Sequence, residues 1–177
     1  MKLGNLNFEP VEQNLSLVSE PTQKAIAAHK LSGVLVAEID PDVSDTAAFC
    51  EKYNVGLDVS VNCVILEAKR GERTWYAACM IPATVRADVN GIVRRALDAK
   101  KISFAPMDKA VALTGMEFGA INPIGLPADW PILVDTGAAE LEHAIIGSGI
   151  RKSKLLVSGK LLASLPNSQM LSLVKSD

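Results

Sequence analysis

Cysteine and histidine are scarce: 3 and 2 in 177 residues. Cys50, Cys63 and Cys79 stand far apart, without a CxxC pair. An odd, widely spaced set suggests neither a disulfide framework nor a zinc site, and no metal or other cofactor is expected. His29 and His143 have no GxSxG-type nucleophile pattern near them, so a catalytic triad is not supported. Long apolar runs are also missing. Stretches such as 34–37 and 76–82 fall far short of the roughly 18 residues that a membrane span needs. Residues 1–14 lack the basic start and apolar core of a secretory leader, so a cytoplasmic location without membrane contact is expected. Internal repeats and low-complexity tracts are absent as well.

What is present is globular: 49% hydrophobic and 21% charged residues, enough to fold around one core. A single domain over 1–177 is expected, with 1–33 as an N-terminal extension. The net charge of -2 argues against a strongly basic nucleic-acid binder. Basic residues nevertheless group at Lys69, Arg70 and Arg73, at Arg94, Arg95, Lys100 and Lys101, and at Arg151, Lys152 and Lys154. Each group reads as solvated surface charge or as a phosphate contact.

Patterning predicts helices over 21–29, 46–53, 89–99, 107–113 and 158–165. Ser44 or Asp45, Asp88 and Ser158 supply the N-terminal signals, and Gly115 a C-terminal stop. Strands are predicted over 34–39, 62–67, 74–81, 102–104, 131–135, 142–146, 154–157 and 170–174, with Arg70-Gly71-Glu72 turning a hairpin. The expected class is α/β: one domain with a mixed, largely antiparallel central sheet flanked by short helices.

Between the helix ending near Leu113 and the strand near Pro131 runs TGMEFGAINPIGLPADW, a segment without either period. Connections that long are uncommon unless functional or disordered. Met116, Phe118, Ile121, Ile124, Leu126 and Trp130 offer apolar anchors, while Gly115, Gly119 and Gly125 permit positive φ. Such a loop can aim backbone N–H groups at an ester carbonyl, or it can be a packed crossover with no ligand.

At this loop the chain resembles the YbaK/EbsC family of aminoacyl-tRNA deacylases, a domain also inserted in some bacterial prolyl-tRNA synthetases. Thr114-Gly115 is followed by Gly119-Ala120-Ile121-Asn122-Pro123, matching the family's GxxxP loop. Thr46-Ala47, the strand beginning at Asn62, Ala105-Pro106, Asp135 and Gly147-Ser148-Gly149 ahead of Lys154-Leu155 fall in the family's order, so coverage runs from about Val34 to Leu165. The resemblance implies metal-free hydrolysis of the ester at the 3′ end of a misacylated tRNA carrying a small amino acid. Partners would be that tRNA and a synthetase. It places Asn62, Gly119 and Asn122 at the reaction. Thr46, Gly115, Ala120, Ile121, Pro123, Gly147 and Gly149 would bind substrate.

One departure stands out. The family's lysine opens the strand where this chain has Asn62, a neutral amide instead of a compact positive charge. Asn62 either donates a hydrogen bond to substrate or merely starts a strand. Adjacent strand residues face opposite sides, which sets Cys63 apart from Asn62 and makes a buried thiol the plainer reading. Asp135 either orients a pocket group or caps the turn before Gly137. Two functions follow: trans-editing of misacylated tRNA, and a non-catalytic module of the same fold holding aminoacyl-tRNA, a nucleotide-like ligand or a protein. A hydrolase of another small acyl ester is a third.

Overall fold

The computed structural model describes residues 1–175; residues 176 and 177, the end of the expected domain, lie outside the described residues. In chain order the strands and helices are β1 (Lys2–Leu3), β2 (Leu6–Asn7), β3 (Glu9–Pro10), α1 (Glu20–Ala28), β4 (Leu35–Glu38), α2 (Thr46–Tyr53), β5 (Val61–Arg70) and β6 (Arg73–Pro82). There follow α3 (Arg94–Ala96), β7 (Lys101–Phe104), α4 (Met107–Thr114), β8 (Ile132–Asp135), α5 (Thr136–Ala139), β9 (Ala144–Gly147), β10 (Ser153–Val157), α6 (Gly159–Ser164) and β11 (Ser168–Leu171).

The mixed, antiparallel-rich α/β architecture is as expected, but the strands divide between two principal sheets. One runs β3-β4-β10-β9 and is antiparallel; the other runs β11-β8-β6-β5-β7 and is mixed. A parallel bridge from Ser60 to Ile145 joins them. Alternation along the strands sorts the core. On β6, Ala78 and Met80 face the layer between the sheets, with Val36 and Leu155 opposite. Ala77, Cys79 and Ile81 face the outer layer. Among the described residues no helix is long and apolar enough to cross a membrane.

Local chemistry fixes the elements that matter. Asp45 caps α2, its Oδ1 accepting from Ala47 N at 3.1 Å and Ala48 N at 3.4 Å. Gly71, at φ +60°, takes the first loop position of the β5–β6 hairpin, as a type II′ turn requires. Gly115 ends α4 at φ +66°. The helix expected over 89–99 is different: a π-helical turn spans Val89–Val93 and only Arg94–Ala96 is α. Asp88 draws in both Gly91 N and Ile92 N, each at 3.1 Å, and the flexible Gly91 backbone yields to the wider turn. Strands β1 to β3 and helix α5, too short for a periodic signal, had no counterpart in the sequence pattern.

Residues 1–33 pack into this frame. β3 extends the four-stranded sheet, and Val11, Val18 and Ile26 belong to the central core. The long loop leans on α1: Gly125 sits at φ +101°, and a Cβ there would lie 2.4 Å from the Pro21 carbonyl oxygen. Gly125→Ala should therefore cost on the order of 1–3 kcal/mol through the backbone conformation alone, with steric displacement of α1 added. Urea unfolding should show a lower midpoint at unchanged slope; an unaltered midpoint would mean the loop relaxes freely.

Candidate active site

β7 pairs with β5 only from Leu66 to Lys69, so the N-terminal half of β5 is an open edge. The Ile65 carbonyl accepts from Ala105 N at 2.9 Å on that side. By strand alternation the backbone N–H and C=O of Cys63 point to the same edge. A cavity of about 470 Å³ lies against it. The start of α2 and β9–β10 wall it on one side, Phe104 and Met107 on another, and the Gly119–Ile121 part of the long loop closes it.

Thr46, the first residue of α2, donates from Oγ1 to Asn62 Oδ1 at 2.8 Å. This fixes the Asn62 amide with its Nδ2 donors uncommitted among the described residues. Gly119, at φ +80°, and Ile121 border the same cavity, as does Gly147. Hence Asn62, Thr46, Gly119, Ile121 and Gly147 are brought together.

The other residues expected here are not. Asn122 is fully buried away from the cavity: its Nδ2 donates to Thr22 Oγ1 at 3.0 Å and its Oδ1 accepts from Ile124 N at 2.8 Å. It braces the loop against α1, and both ends of its amide are consumed in doing so. Ala120 and Pro123 are buried behind the wall. Ala120 uses its carbonyl to accept from Gly149 N at 2.7 Å. Gly115 serves as the cap of α4, and Gly149, at φ +87°, packs on Ser19 where a Cβ would lie 2.0 Å from Oγ. Phe118, expected as an anchor, is 53% exposed at the cavity mouth. Asp135 is a structural cap, accepting from Gly137 N and Leu173 N, each at 2.9 Å.

Gly147 has a steric reason to be glycine, since a Cβ there would lie 2.2 Å from the Ala120 carbonyl oxygen. Arg151 ties the rim together. Its guanidinium donates to Pro41 O at 3.0 Å and Phe118 O at 3.4 Å, while its backbone N donates to Glu117 Oε2 at 2.6 Å.

Three features have no counterpart in the expectations from sequence. Lys154, grouped there with surface charge, is buried at 6% exposure; its ammonium donates to the Ser44 carbonyl at 2.8 Å and lies 5.2 Å from the Phe49 ring centroid. Ser44 Oγ is buried with no hydrogen-bond partner among the described residues, a state that costs about 1–3 kcal/mol. Cys63 borders the cavity beside Asn62 after all, because the open strand edge exposes successive residues. Burial pushes its thiol far above the usual range, with Cys79 adding to the effect, so the reactive thiolate is disfavoured. A lone cation within the apolar strand SKLLV was the signal available for Lys154.

The relatives of the chain define its family and its fold. The model of the aminoacyl-tRNA editing domain matches residues 40–165, more than half of the chain. The chain belongs to the aminoacyl-tRNA editing domain family, the YbaK family its loop suggested. A proline–tRNA ligase of Listeria monocytogenes serotype 4a is 25% identical over 124 residues, which is 68% of this chain and 20% of the ligase. The chain thus spans about a fifth of the length of the curated relatives it matches. Among solved structures, a candidate trans-editing enzyme for prolyl tRNA synthetase superposes with a TM-score of 0.75 at 16% identity, covering 90% of this chain and 99% of that one. The hypothetical protein APE2540 also gives 0.75, at 19% identity over 87% of this chain and 99% of its own. At these identities the superpositions establish the shared fold.

Asn122→Ala should lower stability by about 2 kcal/mol, since it leaves the Ile124 N–H without its partner in the interior, while the Thr22 hydroxyl keeps Ser19 Oγ and the Ile124 carbonyl. Chemical denaturation measures this. A variant of native stability that had lost only activity would return Asn122 to the reaction.

Proposed function

We propose that the chain hydrolyses the ester of a misacylated tRNA carrying a small amino acid, acting in trans on the 3′ end. The observation that carries this reading is a cavity of about 470 Å³ closed by the Gly119–Ile121 part of the long loop in a chain of the editing-domain family. Ligand pockets span roughly 300–1,000 Å³, and the apolar walls at Val64, Ile121 and Ile146 limit how large an aminoacyl side chain can enter. A synthetase discriminates a missing methylene by only about 1–3 kcal/mol, which is why a second, smaller site is useful.

In this reading the Asn62 amide, held by Thr46, and the edge N–H of Cys63 polarise the ester carbonyl, and the Gly119 backbone orients it. The nucleophile is a water or the neighbouring ribose hydroxyl, because the Cys63 thiol is held protonated. The whole chain over 1–177 works as one YbaK-like domain. Residues 1–33 are an extension whose Thr22 and Pro21 brace the loop from behind. A synthetase is the partner that would hand over the tRNA.

The edge strand β7 offers a path for the nucleic acid. Phe104 stands 67% exposed at the cavity mouth. Lys101 lines an adjoining groove with Lys69, Lys100 and Arg94. Lys69 pairs with Glu67 at 2.8 Å, and Arg94 donates to the Asn90 carbonyl at 2.8 Å and the Lys100 carbonyl at 3.5 Å. Arg94, Lys100 and Lys101 have no carboxylate partner among the described residues, so their charge remains for phosphates. An unstacked base on Phe104 and phosphates along the groove is the usual grammar of single-strand binding.

A second reading is favoured by the neutral Asn62: a binding module that holds the aminoacyl end without turning it over. Purified protein incubated with tRNAs bearing small non-cognate amino acids separates the two. Selective release above the spontaneous rate is expected, reduced at least about tenfold in Asn62→Ala for the loss of one hydrogen bond to the reacting carbonyl. No release from a folded sample would leave the binding module.

The groove has its own test. Replacing Arg94, Lys100 and Lys101 together by glutamine should raise KM for charged tRNA with kcat unchanged. The salt dependence of kcat/KM should become shallower by about one unit of slope for each phosphate that is no longer neutralised. An unchanged slope would put the tRNA elsewhere.

A further inference from the structure

We propose that Ser44 and Lys154 form a second polar subsite on the inner wall of the cavity, one that takes an anionic oxygen of the aminoacylated 3′ end. The inference rests on the editing reading above and locates the charge that Asn62 does not supply.

Two independent observations lead there. Ser44 is one of the residues lining the cavity, only 2% of it is exposed, and its hydroxyl, 3.8 Å from the position a Cβ would take on Gly119, has no partner among the described residues. Buried hydroxyls are nearly always satisfied in native proteins, so an orphan on a cavity wall is a group waiting for a ligand. Beside it, Lys154 points inward from β10, where it pairs with Gly147 on β9 and Ala37 on β4. Its ammonium donates one hydrogen bond, to the Ser44 carbonyl, and forms no ion pair among the described residues. Two of its three N–H donors are therefore free for a ligand.

The charges around the cavity point the same way. Its charged lining residues are Asp45, Arg151 and Lys154. The Asp45 carboxylate is exposed and occupied in capping α2, so the interior is net positive. An anionic oxygen is the complement, whether it is the oxyanion developing on the ester carbonyl or the phosphodiester of the terminal nucleoside.

The subsite has a pH signature. Burial pulls the Lys154 ammonium down to about 8, and Arg151 adds to this, while Cys50 and Asp45 oppose it. β4 and β9 present only Ala37 and Gly147. Anion binding requires the protonated form, so its contribution is full below about pH 8 and is lost as the pH rises through that value.

The test compares the wild-type chain with Ser44→Ala, Lys154→Met and Lys154→Arg. Each is measured by kcat and KM on charged tRNA, and by Kd for a non-hydrolysable 3′-aminoacylamido adenosine with and without its 5′-phosphate. Thermal midpoints accompany each variant. Ser44→Ala should melt no lower than wild type, since it removes an unsatisfied group, yet lose at least about fivefold in kcat/KM. Lys154→Met should lose more than about tenfold. Lys154→Arg should keep most function and abolish the decline above pH 8, because a guanidinium stays charged. A loss confined to kcat assigns the oxyanion; a loss in KM and in Kd for the phosphorylated probe alone assigns the phosphodiester.

Should Lys154→Met fail to fold, Ser44→Ala and the Lys154→Arg pH profile carry the test. Wild-type kinetics and affinities in Ser44→Ala, with an unshifted profile in Lys154→Arg, would overturn the subsite. If the wild-type chain releases no amino acid but binds the phosphorylated probe in a Lys154-dependent way, the editing reading fails and the subsite stands. If it neither releases amino acid nor binds either probe, both fall.

Discussion

The carbonyl of Ala120 rests where a side chain on residue 147 would begin, 2.2 Å from the position of its Cβ, and accepts from Gly149 N at 2.7 Å. This close approach lays the long loop directly on the β9–β10 connection. Because the loop lies there, Gly119 and Ile121 reach across to the open edge of β5 and enclose a cavity where the sheet would otherwise end in solvent. The rest of the loop serves that approach. Asn122 and Ile124 are tied to Thr22 of α1, Gly125 passes under Pro21, and Arg151 holds the outer rim. Mutually dependent hydrogen bonds of this kind hold a backbone in one arrangement, so the groups that border the cavity are held in place.

The enclosure also sets the electrostatics. Exposed charges in this protein, such as the Lys24–Glu20 pair, are screened and contribute little. Lys154 differs because burial against Phe49 removes its water, and its only hydrogen-bond partner among the described residues is a neutral carbonyl. A cation so placed weakens the fold unless an anion meets it. The orphaned Ser44 hydroxyl weakens it in the same way. Both sit on one wall of one cavity. Stability given up in a cluster, where Ser44 Oγ is the one unpartnered buried side-chain polar atom among the described residues, is the pattern expected of a binding site.

Much of this architecture was legible in the amino-acid sequence. The Thr46–Tyr53 helix, the Gly71 hairpin and the Gly115 cap follow from turn and cap chemistry acting over a few residues, and each formed as its pattern implied. The length and composition of the segment after Leu113 marked an ordered loop, either functional or a packed crossover, and its Gly119 and Ile121 border the cavity. What could not be read was which way its residues face. Asn122 lies between residues that border or back the cavity, yet its partner is Thr22, a hundred positions away. Lys154 shares a short basic cluster with Arg151, and only the pairing of β10 between β4 and β9 turns one inward and leaves the other on the rim. The Val89–Ala99 region failed for a local reason: Asp88 and Gly91 together favoured a wider turn than the apolar spacing predicted. Orientation at a site is a property of long-range contacts, and those have no short-range signature.

The central claim is that the cavity between the β5 edge and the Gly119–Ile121 loop receives the aminoacyl end of the substrate. A crystal structure of the chain with a non-hydrolysable 3′-aminoacylamido adenosine tests it most directly. The account predicts the aminoacyl carbonyl within hydrogen-bond distance of Asn62 Nδ2 or the Cys63 N–H, with the side chain against Ile121 and Ile146. An analogue bound in the Lys100–Lys101 groove or elsewhere on the surface, with the cavity empty, would contradict it.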